Sequence, residues 1–184
     1  AQLDGFGISI YYLPMNKLSA FADEIGDDLA LQIEILKKND VANIELRGVW
    51  GKNVLELSES EVREVKKTAD ANGIGFSAVG SPLGKFPLDG NFNDQIGDLK
   101  RAIDYARIIE APYIRMFSFY IPEGDDPADH RNQVLDWLGN MVEIAEGTDV
   151  ILAHENEKDI YGDTGARCMD IYESIQSPSF TGIF

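Results

Sequence analysis

The densest cluster of chemically useful side chains follows the apolar run Val150, Ile151, Leu152 and Ala153, where His154, Glu155, Asn156, Glu157, Lys158 and Asp159 come in succession. A continuous apolar run of this kind is expected of a strand buried on both faces. In parallel α/β folds ligands bind at the carboxyl ends of the strands, so a strand that ends in six polar groups marks a candidate site. Glu155 is the candidate for chemistry; the plainer reading has it capping the following turn or pairing with Lys158. His154 is one residue out of phase and is expected to point towards the helices, in a packing or supporting role. Glu157 falls on the side of Glu155, within reach of a bound molecule.

Other strand ends carry charge as well. Lys85 lies on the turn Ser81-Pro82-Leu83-Gly84-Lys85, suited to hold an anionic or hydroxylated part of a substrate, unless it is an ordinary surface lysine. Arg47 and Arg115 sit at the end of or inside apolar runs, where an unmatched guanidinium is costly, so each should have a carboxylate or a ligand as partner. Glu45 and Arg47 alternate onto one face of their strand. An ion pair between them is the expected arrangement, with substrate contact second.

The elements that must position these groups alternate regularly. Strands are expected over Leu18–Ile25, Ala42–Val49, Ile74–Gly80, Tyr113–Tyr120, from Val150, and over Phe180–Phe184. Helices follow them: one capped by Asp27 or Asp28 with Leu29, Ile33 and Leu36 as its stripe, one opened by the Ser58/Glu61 capping box and stopped at Gly73, then Asn93–Glu110, Val134–Ala145 and Thr164 to about Ile175. This alternation points to parallel βαβ units in one domain spanning residues 1–184. Pattern alone leaves two architectures open: a doubly wound open sheet of five or six strands, or an incomplete barrel, since eight units need about 250 residues. Residues 1–14 read as an extra strand or an altered lead-in.

The formal charge of −16 disfavours nucleic acid, which needs clustered Lys and Arg. No apolar run approaches the roughly 20 residues of a membrane span. The single cysteine, Cys168, excludes an internal disulfide and falls in a helical pattern where burial is expected, fitting a reducing cytoplasm.

Five short motifs in order, Phe21–Ile25 (Phe-Ala-Asp-Glu-Ile), Ile44–Gly48 (Ile-Glu-Leu-Arg-Gly), Gly80–Lys85, Tyr113–Phe119 and His154–Thr164, resemble the sugar phosphate isomerase/epimerase family of xylose-isomerase-like barrels over Met15 to Phe184. The resemblance implies a TIM (β/α)8-type barrel, incomplete here at about five and a half βα units after Met15. It implies one divalent metal, Mn, Mg, Co or Zn, held by Glu, Asp, His and Glu at the ends of strands five to eight. Glu155 matches the first ligand, with His154 and Asn156 as supporting neighbours. In relatives a segment like Gly182-Ile183-Phe184 runs on into the second ligand, so the remaining three are expected beyond these residues.

The implied activity is isomerisation or epimerisation of a sugar or sugar phosphate by proton abstraction next to a carbonyl, through an ene-diolate. Glu155 and the strand-eight carboxylate would be the acid/base pair, and Lys85, Glu45, Arg47, Arg115 and Glu157 would contact the substrate. Two alternatives stand beside it. One is an inactive barrel fragment or carbohydrate-binding domain whose unpaired strand-six edge recruits a second copy, giving a homo-oligomer. The other is abasic-site hydrolysis, which the presence of only two histidines, His130 and His154, and the negative charge disfavour.

Overall fold

The computed structural model describes residues 18–183; the expectations for residues 1–14 and for Phe184 lie outside the described residues. Short apolar runs become strands here because each presents backbone N–H and C=O groups that a neighbouring strand satisfies. The main sheet comprises β1 (Ser19–Ala20), β2 (Asn43–Leu46), β3 (Gly75–Val79), β4 (Tyr113–Met116), β5 (Ile151–Glu155) and β6 (Phe180–Ile183). Between successive strands run α1 (Leu29–Lys38), α2 (Glu59–Ala71), α3 (Phe92–Ile109), α4 (Pro127–Glu146) and α5 (Gly165–Ser174).

All neighbouring strands are parallel, and their spatial order is their order in the chain. A doubly wound sheet reverses its strand order at a switch point. No reversal occurs among the described strands, so the sheet is a six-stranded arc of a (β/α)8 barrel and the doubly wound alternative is set aside.

Register sorts the side chains. Arg115 stands opposite Ala153 and Met116 opposite His154, while Glu155 stands opposite Ile183. Because side chains alternate along a strand, Arg115, Ala153 and Glu155 share one face, and Met116 and His154 the other. The helix face is sealed: Ile44, Leu46, Ile114, Met116 and Leu152 are at most 1% exposed and join Leu29, Ile33, Val62, Leu99, Leu138 and Ile171 in one cluster. Each such side chain contributes about 1.5–3 kcal/mol by leaving water. The concave face is more open, with Tyr113 39% exposed.

The helices begin where their caps dictate. Asp28 accepts the N–H of Leu31 at 2.8 Å, and Ser58 with Glu61 forms a reciprocal capping box. Helix α4 starts at Pro127, earlier than the apolar stripe from Val134 implies, because its first turns are polar and periodicity is blind to them. The signal present was Asp126, whose side chain accepts the N–H of Ala128, with Pro127 at the first helical position.

Strands are shorter than their apolar runs. After Ala20 the chain turns at once into a 3-10 turn, Ala22–Glu24, so the strand expected to reach Ile25 stops early. After Leu46 it enters a small antiparallel ribbon pairing Gly48–Val49 with Lys52–Asn53. Beyond Met116 the backbone leaves the sheet ladder: Phe117, Phe119 and Tyr120 donate instead to the carbonyls of Leu83, Gly84 and Phe86. Cys168 is buried in α5. No helix among the described residues is long and apolar enough to cross a membrane.

Candidate functional site

The carboxyl ends of β1 to β5 converge on Arg115. Its side chain is only 8% exposed, because β4 carries it under the mouth of the arc. One guanidinium nitrogen, Nη1, lies 3.3 Å from Glu155 Oε2 and 4.0 Å from Glu45 Oε1. The other, Nη2, donates to the carbonyl of Gly80 at 3.2 Å. The rings of Phe21 and Phe117 lie within cation–π range of the guanidinium carbon, at 5.0 and 5.1 Å. Phe117 is placed there because residues 115 and 117 are two apart and share a face.

The pattern extends to either side. Arg47 lies 4.6 Å from the Phe21 ring, with Nε donating to Asp23 at 2.7 Å and Nη2 to Glu24 at 3.1 Å. Lys85 lies 4.4 Å from the Phe117 ring and donates to Glu157 at 3.0 Å. Arg47, Phe21, Arg115, Phe117 and Lys85 thus alternate cation and ring across the mouth. The ion pair expected between Glu45 and Arg47 does not form: the 3-10 turn brings Asp23 and Glu24 to Arg47, and a register shift between Ile44 and Glu45 leaves Glu45 beside Arg115. Glu155 faces Arg115 rather than Lys158, whose ammonium is nearest Asp159. Asn156 is exposed and makes no side-chain hydrogen bond to Glu155 among the described residues.

His154 lies on the opposite face with no exposed surface. Nε2 is 3.0 Å from Ser118 Oγ, which also accepts the N–H of Gly162 at 2.7 Å; Nδ1 is 3.2 Å from Tyr172 Oη, which donates to the carbonyl of His154 at 3.3 Å. A neutral ring protonated at Nδ1 satisfies every one of these partners. Burial pushes the imidazole down to about 4 and the Tyr172 hydroxyl up to about 12. With both nitrogens committed, His154 has no lone pair to give a ligand.

The mouth is electrostatically unfinished. Burial raises the Glu45 carboxyl above its usual range, Arg115 pulls it back, and Glu155 raises it further. Glu157 is held below the usual range by the Lys85 ammonium and the backbone N–H of Lys158. Five carboxylates (Asp23, Glu24, Glu45, Glu155, Glu157) face three cations (Arg47, Arg115, Lys85), a balance that favours a cationic guest. Glu45 Oε1 and Glu155 Oε2 are buried without hydrogen-bond partners and lie 4.0 and 3.3 Å from Arg115 Nη1, which offsets their charge without hydrogen-bonding either. Among the described residues no three His, Cys, Asp or Glu groups cluster closely enough to hold a metal. On the described residues a metal would find the Glu155 carboxylate and no complete set of ligands.

A sequentially wound parallel arc whose ionisable groups gather at the carboxyl ends of its strands defines a (β/α)8-barrel protein. The family profile of the xylose isomerase-like TIM barrel matches residues 33–184, and the chain belongs to that family. Three solved structures illustrate the likeness. A probable 3-DHS dehydratase, AsbF, involved in petrobactin synthesis from Bacillus anthracis, superposes with a TM-score of 0.72 at 13% identity over 90% of this chain and 60% of its own. The IOLI protein with a bound zinc atom gives 0.70 at 15%, over 89% and 59%. A D-psicose 3-epimerase, solved in the presence of D-fructose, gives 0.66 at 15%, over 90% and 62%. This chain thus spans about three fifths of each of those proteins. No curated protein matches the sequence.

Proposed function

We propose that the protein carrying this chain is a divalent-metal-dependent isomerase or epimerase acting on a small sugar or sugar phosphate. The observation that carries this reading is Glu155, which projects from β5 into the mouth of the arc with a buried oxygen that accepts no hydrogen bond. A carboxylate so placed is kept from water on one side and open to a guest on the other, the environment of a working acid or base. A bound divalent ion would supply stabilisation of the negative charge that develops on a sugar carbonyl and its neighbouring hydroxyl when a carbon-bound proton leaves.

The chain's own residues supply the rest. Glu155 would hold the metal and would take the proton from the carbon next to the carbonyl. Lys85 and Glu157, paired across the rim, and Arg47 with Glu45 offer donors and acceptors to hydroxyl groups in fixed positions. Proton return on the opposite face by a second acid, the strand-eight carboxylate that the family resemblance implies, would invert a centre, and return by Glu155 to the adjacent carbon would move the carbonyl. The likeness in fold to a D-psicose 3-epimerase and to a zinc-bound protein supports this reading over a purely binding role.

The test uses the full-length protein, stripped with chelator and reloaded with Mn2+. Stoichiometric metal by elemental analysis is expected, together with metal-dependent deuterium incorporation from D2O next to the carbonyl of at least one ketose in a panel, read by NMR. Failure to bind a divalent ion, or silence across the panel, counts against the proposal.

A further inference from the structure

We propose that the Lys85 ammonium is a phosphate site and that Glu157 is the built-in stopper that fills it until a ligand arrives. The inference rests on the sugar-directed reading above and deepens it, selecting a sugar phosphate over the free sugar. At the mouth each arginine meets two carboxylates: Arg47 those of Asp23 and Glu24, Arg115 those of Glu45 and Glu155. Lys85 meets one, Glu157 Oε2 at 3.0 Å. Five carboxylates against three cations repel an anion as they stand, so an anionic group can enter only where a carboxylate gives way. Loss of one partner leaves either arginine still neutralised by the other. Release of Glu157 uncovers a cation.

The two members of this rim pair are mounted differently. Lys85 sits on a pinned turn: its N–H donates to the Pro82 carbonyl at 2.9 Å, the Leu83 and Gly84 carbonyls accept the N–H groups of Phe117 and Phe119 at 2.8 and 2.9 Å, and the Gly84 N–H donates to the buried Gln95 side chain at 2.8 Å. Gly84 has φ +81°, and a Cβ there would run into the Phe117 carbonyl oxygen, so only glycine lets the turn lie this close. The buried Phe117 ring, 4.4 Å from the ammonium, steadies the head of the side chain. Glu157 sits on a loop where, among the described residues, no main-chain hydrogen bond holds Asn156 or Glu157; its other oxygen accepts only the N–H of the next residue, Lys158, at 3.0 Å. The carboxylate is therefore the partner that moves. A pair this exposed to water favours its closed form by only about fivefold or less.

The chemistry of the uncovered group selects phosphate. An ammonium is a compact point charge with three donors in no fixed plane, suited to tetrahedral phosphate oxygens, whereas a planar carboxylate is matched by the fork of an arginine. Both arginines at the mouth are already engaged.

The test is titration of inorganic phosphate into the 15N-labelled full-length protein and three variants, with chelator present throughout, following the amide signals of Gly84 and Lys85. Saturable shifts are expected in the wild type. Glu157→Gln removes the charge of the stopper and is expected to bind phosphate about three- to tenfold more tightly. Lys85→Met is expected to bind at least about tenfold more weakly. Glu64→Gln, an equal change of net charge on the exposed surface of α2, is expected to match the wild type. Free D-fructose is expected to leave both signals in place. Unchanged or weaker binding by Glu157→Gln, wild-type affinity in Lys85→Met, or equal shifts with D-fructose overturns the proposal. Misfolding cannot produce the tightening, so Glu157→Gln decides the matter should Lys85→Met fail to fold. Because chelator keeps metal out, a protein that takes up no divalent ion overturns the proposed function and leaves the phosphate site standing.

Discussion

On β5 two adjacent residues meet opposite conditions. His154, on the helix side, has no exposed surface, and every polar atom of its ring is matched by Ser118 or Tyr172. Glu155, on the concave side, keeps a buried oxygen that nothing hydrogen-bonds and shares one crowded arginine with Glu45. The same division runs through the whole sheet: sealed apolar packing against the helices, alternating cations and rings at the mouth. Polar groups whose partners are complete serve the fold, and those left incomplete are available to a guest. If that division is real, substitutions at the mouth should cost function and spare stability, and substitutions behind the sheet should do the reverse.

The largest effect is expected at Glu155. Glu155→Gln is nearly isosteric but can neither take a proton nor match Arg115 by charge. Turnover should fall about 10²–10⁴-fold, while the unfolding free energy should fall by less than the roughly 3–5 kcal/mol of a buried charge left unpaired, because Glu45 still faces the guanidinium. Steady-state kinetics beside urea denaturation measures both. A variant that loses stability but keeps its rate breaks the comparison at its centre.

Behind the sheet the corresponding effect appears with pH. The His154 imidazole is held down to about 4 by burial, from an ordinary value of 6.5. Between those values the unfolded chain binds a proton that the native protein does not, so stability is fully present above pH 6.5 and is lost as pH falls towards 4. The gap corresponds to about 3 kcal/mol. Urea unfolding at intervals from pH 7 to 5 should show a decline beginning well above the carboxylate range, and His154→Gln should flatten it. An unchanged slope in the variant would place the titrating group elsewhere.

A smaller loss is expected from Gly162→Ala. An added Cβ would come within 2.6 Å of His154 Cε1 and 2.8 Å of both Nε2 and Ser118 Oγ. Overpacking of this kind costs about 1–3 kcal/mol, since neither the buried ring nor the hydroxyl has room to withdraw. Thermal unfolding should record it, with Mn2+ affinity preserved because Glu155 lies on the other face.

How much of this division was legible beforehand differs between fold and site. Alternating apolar runs and helical stripes revealed the βα repeats, and the caps at Asp28 and Ser58 stood plainly in the sequence. Sequential strand order was not legible in the βα repeat alone, which is equally compatible with an open sheet; the barrel followed from the resemblance carried by the five ordered motifs. The run from Tyr113 to Tyr120 reads as one strand because it is apolar apart from Arg115 and Ser118; only the structure shows its second half bonding to the turn after β3. At the mouth, charged residues at strand ends could be picked out, but their pairings could not. Arg47 meets Asp23 and Glu24 through a turn with no apolar signature, and the shift between Ile44 and Glu45 redirects Glu45 to Arg115. The Phe117 ring was within reach of sequence reasoning, since residues 115 and 117 share a face; the Phe21 ring depends on how β1 ends.

The smallest effect sharpens the comparison most, because it separates two kinds of ion pair by their consequences. Lys85 and Glu157 meet at 3.0 Å with about a third of each side chain in water (33% and 36%), so solvent screens the pair. Its loss in Lys85→Met should cost no more than about 1 kcal/mol of stability. If Lys85 also donates to a substrate hydroxyl or phosphate, the variant forfeits a charged hydrogen bond of about 1.5–3 kcal/mol made alike in the ground and transition states. That appears as a rise in KM of roughly tenfold or more with kcat nearly unchanged. A fall in kcat would instead move Lys85 next to the reacting carbon, and unchanged kinetics would make it a rim lysine whose pairing with Glu157 serves only to neutralise charge.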